Sequence, residues 1–352
     1  MKKKAIKSVL LIALLIAFSC DEPETIVTNI VHTDGTVTRK IEMRNSQNKF
    51  KLSDLQVPFD STWTIKDTIE IGKKKDTTFI KTAEKLFKNV GEINNSYLAD
   101  KGANKDIKRK ADFVKKFKWF NTEYRFSEMI DKRISNGYPI KDFLNQEELN
   151  YFYSPESIKR DKKNSPDSLK YRAFEDTINR KTDNWTLKNM ASDWIAKFSG
   201  LVEGKAGNDL SRESLKARQD EYMKLIKTYD NKFDSLWKAG VILKEMIGEK
   251  NAVRFRTEAD TAIEMVTRDI FVNFKDYSVR IIMPGKLIGT NGFIDKTEIL
   301  LWPVKSDYFM TEPYEMWAES KISNKWAWIV TGVFIIFVIT GLAIRLFRKK
   351  KN

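Results

Sequence analysis

The feature that most constrains this chain lies at its C-terminal end. Residues 326–344 run nineteen positions without a charge. As an α-helix that stretch is about 28 Å long, close to the ~30 Å hydrocarbon core of a bilayer. Trp326 and Trp328 open it, where interfacial aromatics belong, and Arg345, Arg348, Lys349, Lys350 and Lys351 follow it. The excess of basic residues after the span predicts a cytoplasmic C-terminus. Everything N-terminal to residue 326 is therefore expected on the other side of the membrane.

The N-terminus points the same way. Lys2, Lys3, Lys4 and Lys7 precede an uncharged run over residues 9–18, and small Ser19 precedes Cys20. A run of about ten apolar residues is too short to span and has the layout of a secretory signal peptide. The ending Ala17-Phe18-Ser19-Cys20 resembles the lipobox of bacterial lipoproteins, although Ala17 stands where that box usually has Leu. The resemblance implies that residues 1–19 are removed and that Cys20 is lipidated and becomes the first mature residue. Cys20 is the only cysteine in the chain. Disulfides are therefore excluded, and the exported part must be held by a hydrophobic core.

The formal charge of +15 suggests a nucleic-acid partner until it is located. Four of those charges sit in the signal segment and five in the basic tail, which leaves about +6 on the ectodomain. Nucleic acid is rejected as a partner. Membrane lipid is the expected acidic neighbour, close to Lys321 and Lys325, and another envelope protein is a further candidate partner.

Period-two and period-3.6 patterns divide the ectodomain. Residues 26–33 and 36–43, joined by Asp34-Gly35, read as a β-hairpin. Residues 62–71 and 76–80 read as a second hairpin, residues 82–98 as a helix, and residues 116–128 as one strand. From residue 129 to about 249 the pattern is helical. Leu187, Met190, Ala191, Trp194, Ile195, Phe198 and Leu201 share one helical face, and Tyr222, Leu225, Ile226, Tyr229, Phe233, Leu236 and Trp237 repeat it. Residues 159–166 read as a loop. Strands return with Tyr277, Val279, Ile281 and Met283, then over residues 298–305 and 314–321.

The predicted class is α+β: an antiparallel sheet or sandwich of N- and C-terminal strands, a large α-helical insertion, and one C-terminal transmembrane helix. The expected division is signal peptide 1–19, lipidated spacer 20–25, a mostly β part 26–128, the helical insertion 129–265, a second β part 266–321, the membrane helix 326–344 and a basic cytoplasmic tail 345–352. The spacers 21–25 and 321–325 each reach about 17 Å when extended. The first and last strands are thus expected to start and finish beside one membrane face, in one sheet.

Met283, Pro284, Gly285, Asn291, Gly292 and Trp302 fall in a strand, turn, strand-with-Trp pattern that resembles a segment of LppM-like bacterial lipoprotein domains. The resemblance covers about 60 residues, to the end of the 314–321 strand, and leaves out the helical middle. It implies a membrane-proximal α+β domain and carries no activity or functional residues with it.

Catalytic signatures are sparse. His32 is the only histidine, so a Ser-His-Asp triad would have to use it, and no nucleophile elbow is present. Cys/His zinc sites, phosphate loops, dinucleotide fingerprints and calcium loops do not occur, and no cofactor is expected. Acid–base work would fall to carboxylates such as Glu147 with Glu148 or Glu312 with Glu315, which read better as solvated surface. Another pattern recurs seven times: Asp, then Ser or Thr, then a small or aliphatic residue. It resembles the acceptor motif of extracytoplasmic O-glycosylation in bacteroidete-type bacteria. The acceptors would be Ser61, Thr68, Thr77, Ser168, Thr177, Ser235 and Thr261. Helix caps and turns also use Asp-Ser and Asp-Thr, so both readings stand.

Two functions follow. The first is a non-enzymatic scaffold, assembly factor or binding module, lipid-anchored and facing outward from the inner membrane. The alternative is a carboxylate-dependent hydrolase or transferase acting on envelope glycan or lipid.

Overall fold

The structure, a computed structural model, describes residues 24–51, 55, 57–72, 77–102, 105–163, 167–229, 232–272, 274–294 and 299–349. Cys20 lies outside them. The chain is α+β, with two sheets, a large helical insertion and one apolar C-terminal helix.

β1 (Glu24–Val31) and β2 (Val37–Asn45) form the expected hairpin. Its turn is set by Asp34, whose Oδ1 accepts from the Thr36 N–H at 3.0 Å and the Thr36 hydroxyl at 2.8 Å. Gly35 takes φ +92°, and a Cβ there would lie 3.0 Å from the Phe113 ring. Glycine is required at that position both by backbone conformation and by the close approach of the second sheet.

β3 (Thr64–Ile71) and β4 (Thr77–Phe87) extend the sheet on one side, and β4 pairs with β2. On the other side β7 (Tyr277–Ile282) runs parallel to β1, followed by β10 (Leu300–Val304) and the short β9 (Phe293–Ile294). The seven strands are ordered β3-β4-β2-β1-β7-β10-β9. The second sheet is β5 (Arg109–Lys118), β6 (Asn121–Ile130), β11 (Tyr314–Ser323) and β8 (Lys286–Thr290), in that order.

Alternation places every second residue of β2 and β6 inside. Val27, Ile41, Phe87, Phe126, Ile130, Val279, Trp302 and Met316 fill the space between the sheets. α1 (Val90–Leu98), capped by the Asn89 side chain, closes one side with Ile93 and Tyr97.

The inner faces also carry charge. Arg39 of β2 and Glu128 of β6 meet at 2.7 Å with side chains 1% and 2% exposed. Arg39 also donates to the Asn29 side chain at 2.8 Å and the Tyr97 hydroxyl at 2.6 Å, and Tyr97 donates to Glu128. One network thus joins β1, β2, α1 and β6.

The insertion separates β6 from β7. It comprises α2 (Gln146–Phe152), α3 (Glu156–Lys163), α4 (Ser168–Val202), α5 (Arg212–Ala217), α6 (Gln219–Tyr229), α7 (Phe233–Lys238), α8 (Val241–Ile247), α9 (Glu249–Arg254) and α10 (Arg256–Ile270). α4 is 35 residues, about 52 Å long. Leu187, Ala191, Trp194, Ile195 and Phe198 of its stripe are all buried, and Trp194, Ile195 and Phe198 join Tyr222, Trp237, Met246 and Val266 in a second core. Arg133, just after β6, donates to the carbonyls of Asp269 and Ile270 at the end of α10 and of Ser306, at 2.6, 3.0 and 3.0 Å. This fixes the insertion to the sandwich. Burial lowers the Arg133 pKa to about 10, with Asp307 and Asp269 opposing the shift.

Several expectations fail locally. The predicted helix over 82–98 is strand to Phe87 and helical only from Val90. Ala83 and Phe87 point into the core at a strand period, which outweighs the helix-forming Glu and Lys around them. Residues 116–128 are two strands with a turn at Trp119 and Phe120. The face from Tyr222 to Trp237 is divided between α6 and α7. Lys159 sits in α3 rather than in a loop.

The first and last strands do not share a sheet, nor does β1 start where β11 ends. β7 ends against Lys321 and Ile322, where a Cβ on Gly285 would lie 2.5 Å from the Lys321 carbonyl oxygen. β1 runs parallel to β7, so Val31 is at that end and Glu24 is at the opposite one. β6 ends and β7 begins at the opposite end too, and the helical insertion lies there.

Removing one partner of the Arg39–Glu128 pair leaves a buried charge uncompensated. Arg39→Met is expected to cost about 3–5 kcal/mol in denaturant unfolding, and the double variant Arg39→Met/Glu128→Leu to recover most of that loss.

Candidate membrane-facing site

β11 passes directly into α11 (Lys325–Lys349), with Asn324 between them. Residues 325–346 form the one helix among the described residues that is long and apolar enough to cross a membrane. Asn324 fixes how the sandwich meets it. Its backbone N–H donates to the Phe120 carbonyl at 2.9 Å. Its side-chain amide donates to the carbonyls of Lys118 and Trp119 at 2.8 and 3.2 Å, and its side-chain oxygen accepts from the Thr122 hydroxyl at 3.0 Å. Three consecutive carbonyls of the β5–β6 turn are thereby satisfied by one residue. The Asn121 side-chain oxygen beside them is buried without a hydrogen-bond partner.

The turn carries aromatic side chains onto the helix. Phe117 stacks on Trp326 with ring centroids 6.4 Å apart, Trp119 meets Trp326 edge-on at 5.3 Å, and Phe120 lies 4.2 Å from Trp328. The Trp119 indole N–H donates to the Thr331 hydroxyl at 2.9 Å. Ala327, between the two tryptophans, is fully buried. Even so, Phe117 is 59% and Trp119 48% exposed. Lys115, Lys116 and Lys118 stand behind the turn, with Lys115 donating to the Thr33 carbonyl at 2.9 Å and Lys118 paired with Glu123.

The residues singled out in the sequence are dispersed. His32 sits at the β1–β2 turn, its Nε2 3.0 Å from the Thr38 hydroxyl. Glu147 is exposed, but Glu148 is buried, contrary to the solvated reading. Glu148 closes a capping box on Asn145 at the start of α2 and accepts from Lys181 at 2.6 and 2.7 Å. Burial raises its pKa, but Lys181 and the Asn145 N–H outweigh that and hold the carboxyl below its ordinary value. Glu312 pairs with Lys141 at 3.2 Å and Glu315 with Arg125 at 3.2 Å. Ser61, Thr68, Thr77, Ser235 and Thr261 are exposed, while Ser168 and Thr177 are partly buried.

Three concavities contain acids, one of them beside α1 with Asp60, paired with Lys85 at 3.1 Å, and Asp100, which accepts the Gly102 N–H at 2.8 Å. A groove of about 800 Å³ on the outer face of β2, β3 and β4 includes Glu42, which Lys40 and Arg44 hold at 3.1 and 2.8 Å. A cleft of about 740 Å³ between sandwich and insertion includes Asp131 and Asp269. Asp269 is bound by Lys197 at 2.7 Å, and Asp131 accepts the Lys132 N–H at 2.8 Å. These carboxylates already serve as structural partners. Among the described residues, no three His, Cys, Asp or Glu side chains converge as a metal site.

The hairpin tip was not legible as a site. Phe117 and Trp119 are read as one face of a continuous strand, and nothing local announces that the chain reverses there. The usable signal is the coincidence of two aromatic-rich segments, 117–120 and 326–328, the second opening the long apolar helix.

No family model matches this chain, and no curated protein matches it. The solved folded domain of Mycobacterium tuberculosis LppM aligns with 87% of this chain and 94% of its own length, at 8% identity and a TM-score of 0.26. That is a loose resemblance to a lipoprotein domain, and no function passes from it.

Asn324→Ala removes three side-chain hydrogen bonds from the joint. The expected result is faster amide hydrogen exchange over residues 117–123, with a loss of about 1–3 kcal/mol confined to that segment.

Proposed function

We propose that this protein is a membrane-anchored envelope module that acts by binding or scaffolding rather than by catalysis. The observation that carries this reading is the joint at Asn324. A passive tether needs only a flexible linker, whereas here the β5–β6 hairpin is bonded to the first turns of the apolar helix. Such a joint holds an ectodomain at a fixed orientation, which suits presentation of a surface to another envelope protein. Glu42, Asp131 and Asp269 are held by lysines, arginines and backbone, which favours binding over the hydrolase or transferase reading.

In this reading α11 spans the inner membrane, Arg345 and the residues after it face the cytoplasm, and Cys20 carries lipid. A spanning helix anchors permanently while a single acyl chain binds reversibly. Cys20→Ala is therefore expected to stay in the membrane fraction after alkaline extraction, and its appearance in the soluble fraction would refute the assignment. Crosslinking in cells that captures no envelope protein would overturn the scaffold role.

The Asp-Ser/Thr acceptors fit O-glycosylation in that five of the seven residues are exposed and Ser168 and Thr177 are only partly buried. The capping alternative gains little support: Asp167 makes no side-chain cap hydrogen bond, and Thr177, Ser235 and Thr261 each donate to a backbone carbonyl three or four residues earlier. Intact mass of the natively expressed protein separates the two, with hexose-sized additions expected and an unmodified mass excluding glycosylation.

A further inference from the structure

We infer that the tip of the β5–β6 hairpin is itself a lipid-binding element, seated in the bilayer interface beside α11. This rests on the reading of α11 as a membrane span and goes beyond it, since a span alone requires nothing of residues 117–120.

The depth of the contact carries the argument. Trp119 bonds to Thr331, five residues beyond Trp326. At 1.5 Å per residue that is about 7.5 Å along the helix. The uncharged stretch from 326 to 344 is about as long as the hydrocarbon core is thick. Thr331 then lies below the headgroups, and the Trp119 ring must follow it.

The chemistry of the turn agrees with that depth. Water is scarce there, and an unpaired backbone group costs several kcal/mol. The carbonyls of Lys118, Trp119 and Phe120 are all satisfied by Asn324, and the Trp119 indole N–H by Thr331. A turn in water has no need of this. Phe117 and Trp119 remain about half exposed after stacking on the helix, so one side of the cluster faces outward. Aromatic rings with one apolar side and one bonded polar atom suit a bilayer interface. Lys116, Lys321 and Lys325 are exposed close behind and would meet anionic phosphates.

The test uses the full chain in a Cys20→Ser background, reconstituted in phosphatidylcholine–phosphatidylglycerol vesicles. A single cysteine is placed at Phe117 on the hairpin or at Val333 on the helix and labelled with an environment-sensitive fluorophore. Lipids with a nitroxide near the headgroup or deep in the acyl chain serve as quenchers. The inference expects a blue-shifted Phe117→Cys label quenched most by the shallow nitroxide, with Val333→Cys quenched as well. Quenching at Val333 but not at Phe117 overturns the hairpin inference and leaves the span intact. No quenching at either position removes the span, and the inference with it. Lys116→Cys repeats the hairpin measurement if Phe117→Cys does not fold, with the same outcomes deciding.

Discussion

The buried contact between Arg39 and Glu128 is the constraint on which the sandwich depends. Two sheets packed through aliphatic residues alone can slide, because the hydrophobic effect is non-directional. A guanidinium that must meet Glu128, Tyr97 and Asn29 at once has one acceptable position. The network touches β1, β2, α1 and β6, so it sets the register between sheets and seats the helix. Burial raises the Tyr97 pKa, with Arg39 opposing it, so the hydroxyl stays protonated and can donate to Glu128. A buried ion pair is weak support for net stability, but it penalises every arrangement that separates the partners. Arg109, whose guanidinium nitrogens are buried beside Tyr97 without hydrogen bonds, adds charge to the same region.

Much of the fold was legible because its elements bury one face at a clean period. The Asp34-Gly35 hairpin, the stripe from Leu187 to Phe198 and the strands around Tyr277 and Tyr314 all follow from local pattern and turn chemistry. The failures come where tertiary contact decides. Ala83 and Phe87 are strand residues because β2 lies beside them, pairing them with Ile41 and Val37, which are distant in sequence. Sequence alone does not disclose that Arg39 and Glu128, on strands far apart in the chain, meet each other inside. Glu148 was misread for the same reason: its partner Lys181 arrives from another helix. The candidate site was hidden most completely, because its parts, residues 117–120 and 324–331, are two hundred positions apart.

The placement of the insertion separates two tasks within one chain. The hairpin tip and Asn324 form one end of the sandwich, and the helical part is attached at the other through Arg133 and the carbonyls it gathers. The second core, with Trp185, Trp194, Tyr222 and Trp237, is independent of the first. The end nearest α11 is stiffened by aromatic stacking and a dense set of hydrogen bonds. The far end carries the helices of the insertion, packed around their own core.

This polarity changes what the N-terminus can do. Glu24 lies about seven residue steps from Val31, roughly 23 Å along β1, and Val31 is at the α11 end. From Cys20 to Glu24 the chain spans at most about 14 Å when extended. If the strands stood along the membrane normal, a lipid on Cys20 would fall short of the bilayer that holds α11. Both anchors can occupy one bilayer only if the sandwich leans over, bringing the start of β1 down toward the surface. The rigid joint at Asn324 sets the angle between β11 and α11, so it also decides whether that lean is available. In the proposed reading, lipid on Cys20 would act on orientation as much as on attachment, drawing one flank of the seven-stranded sheet toward the membrane.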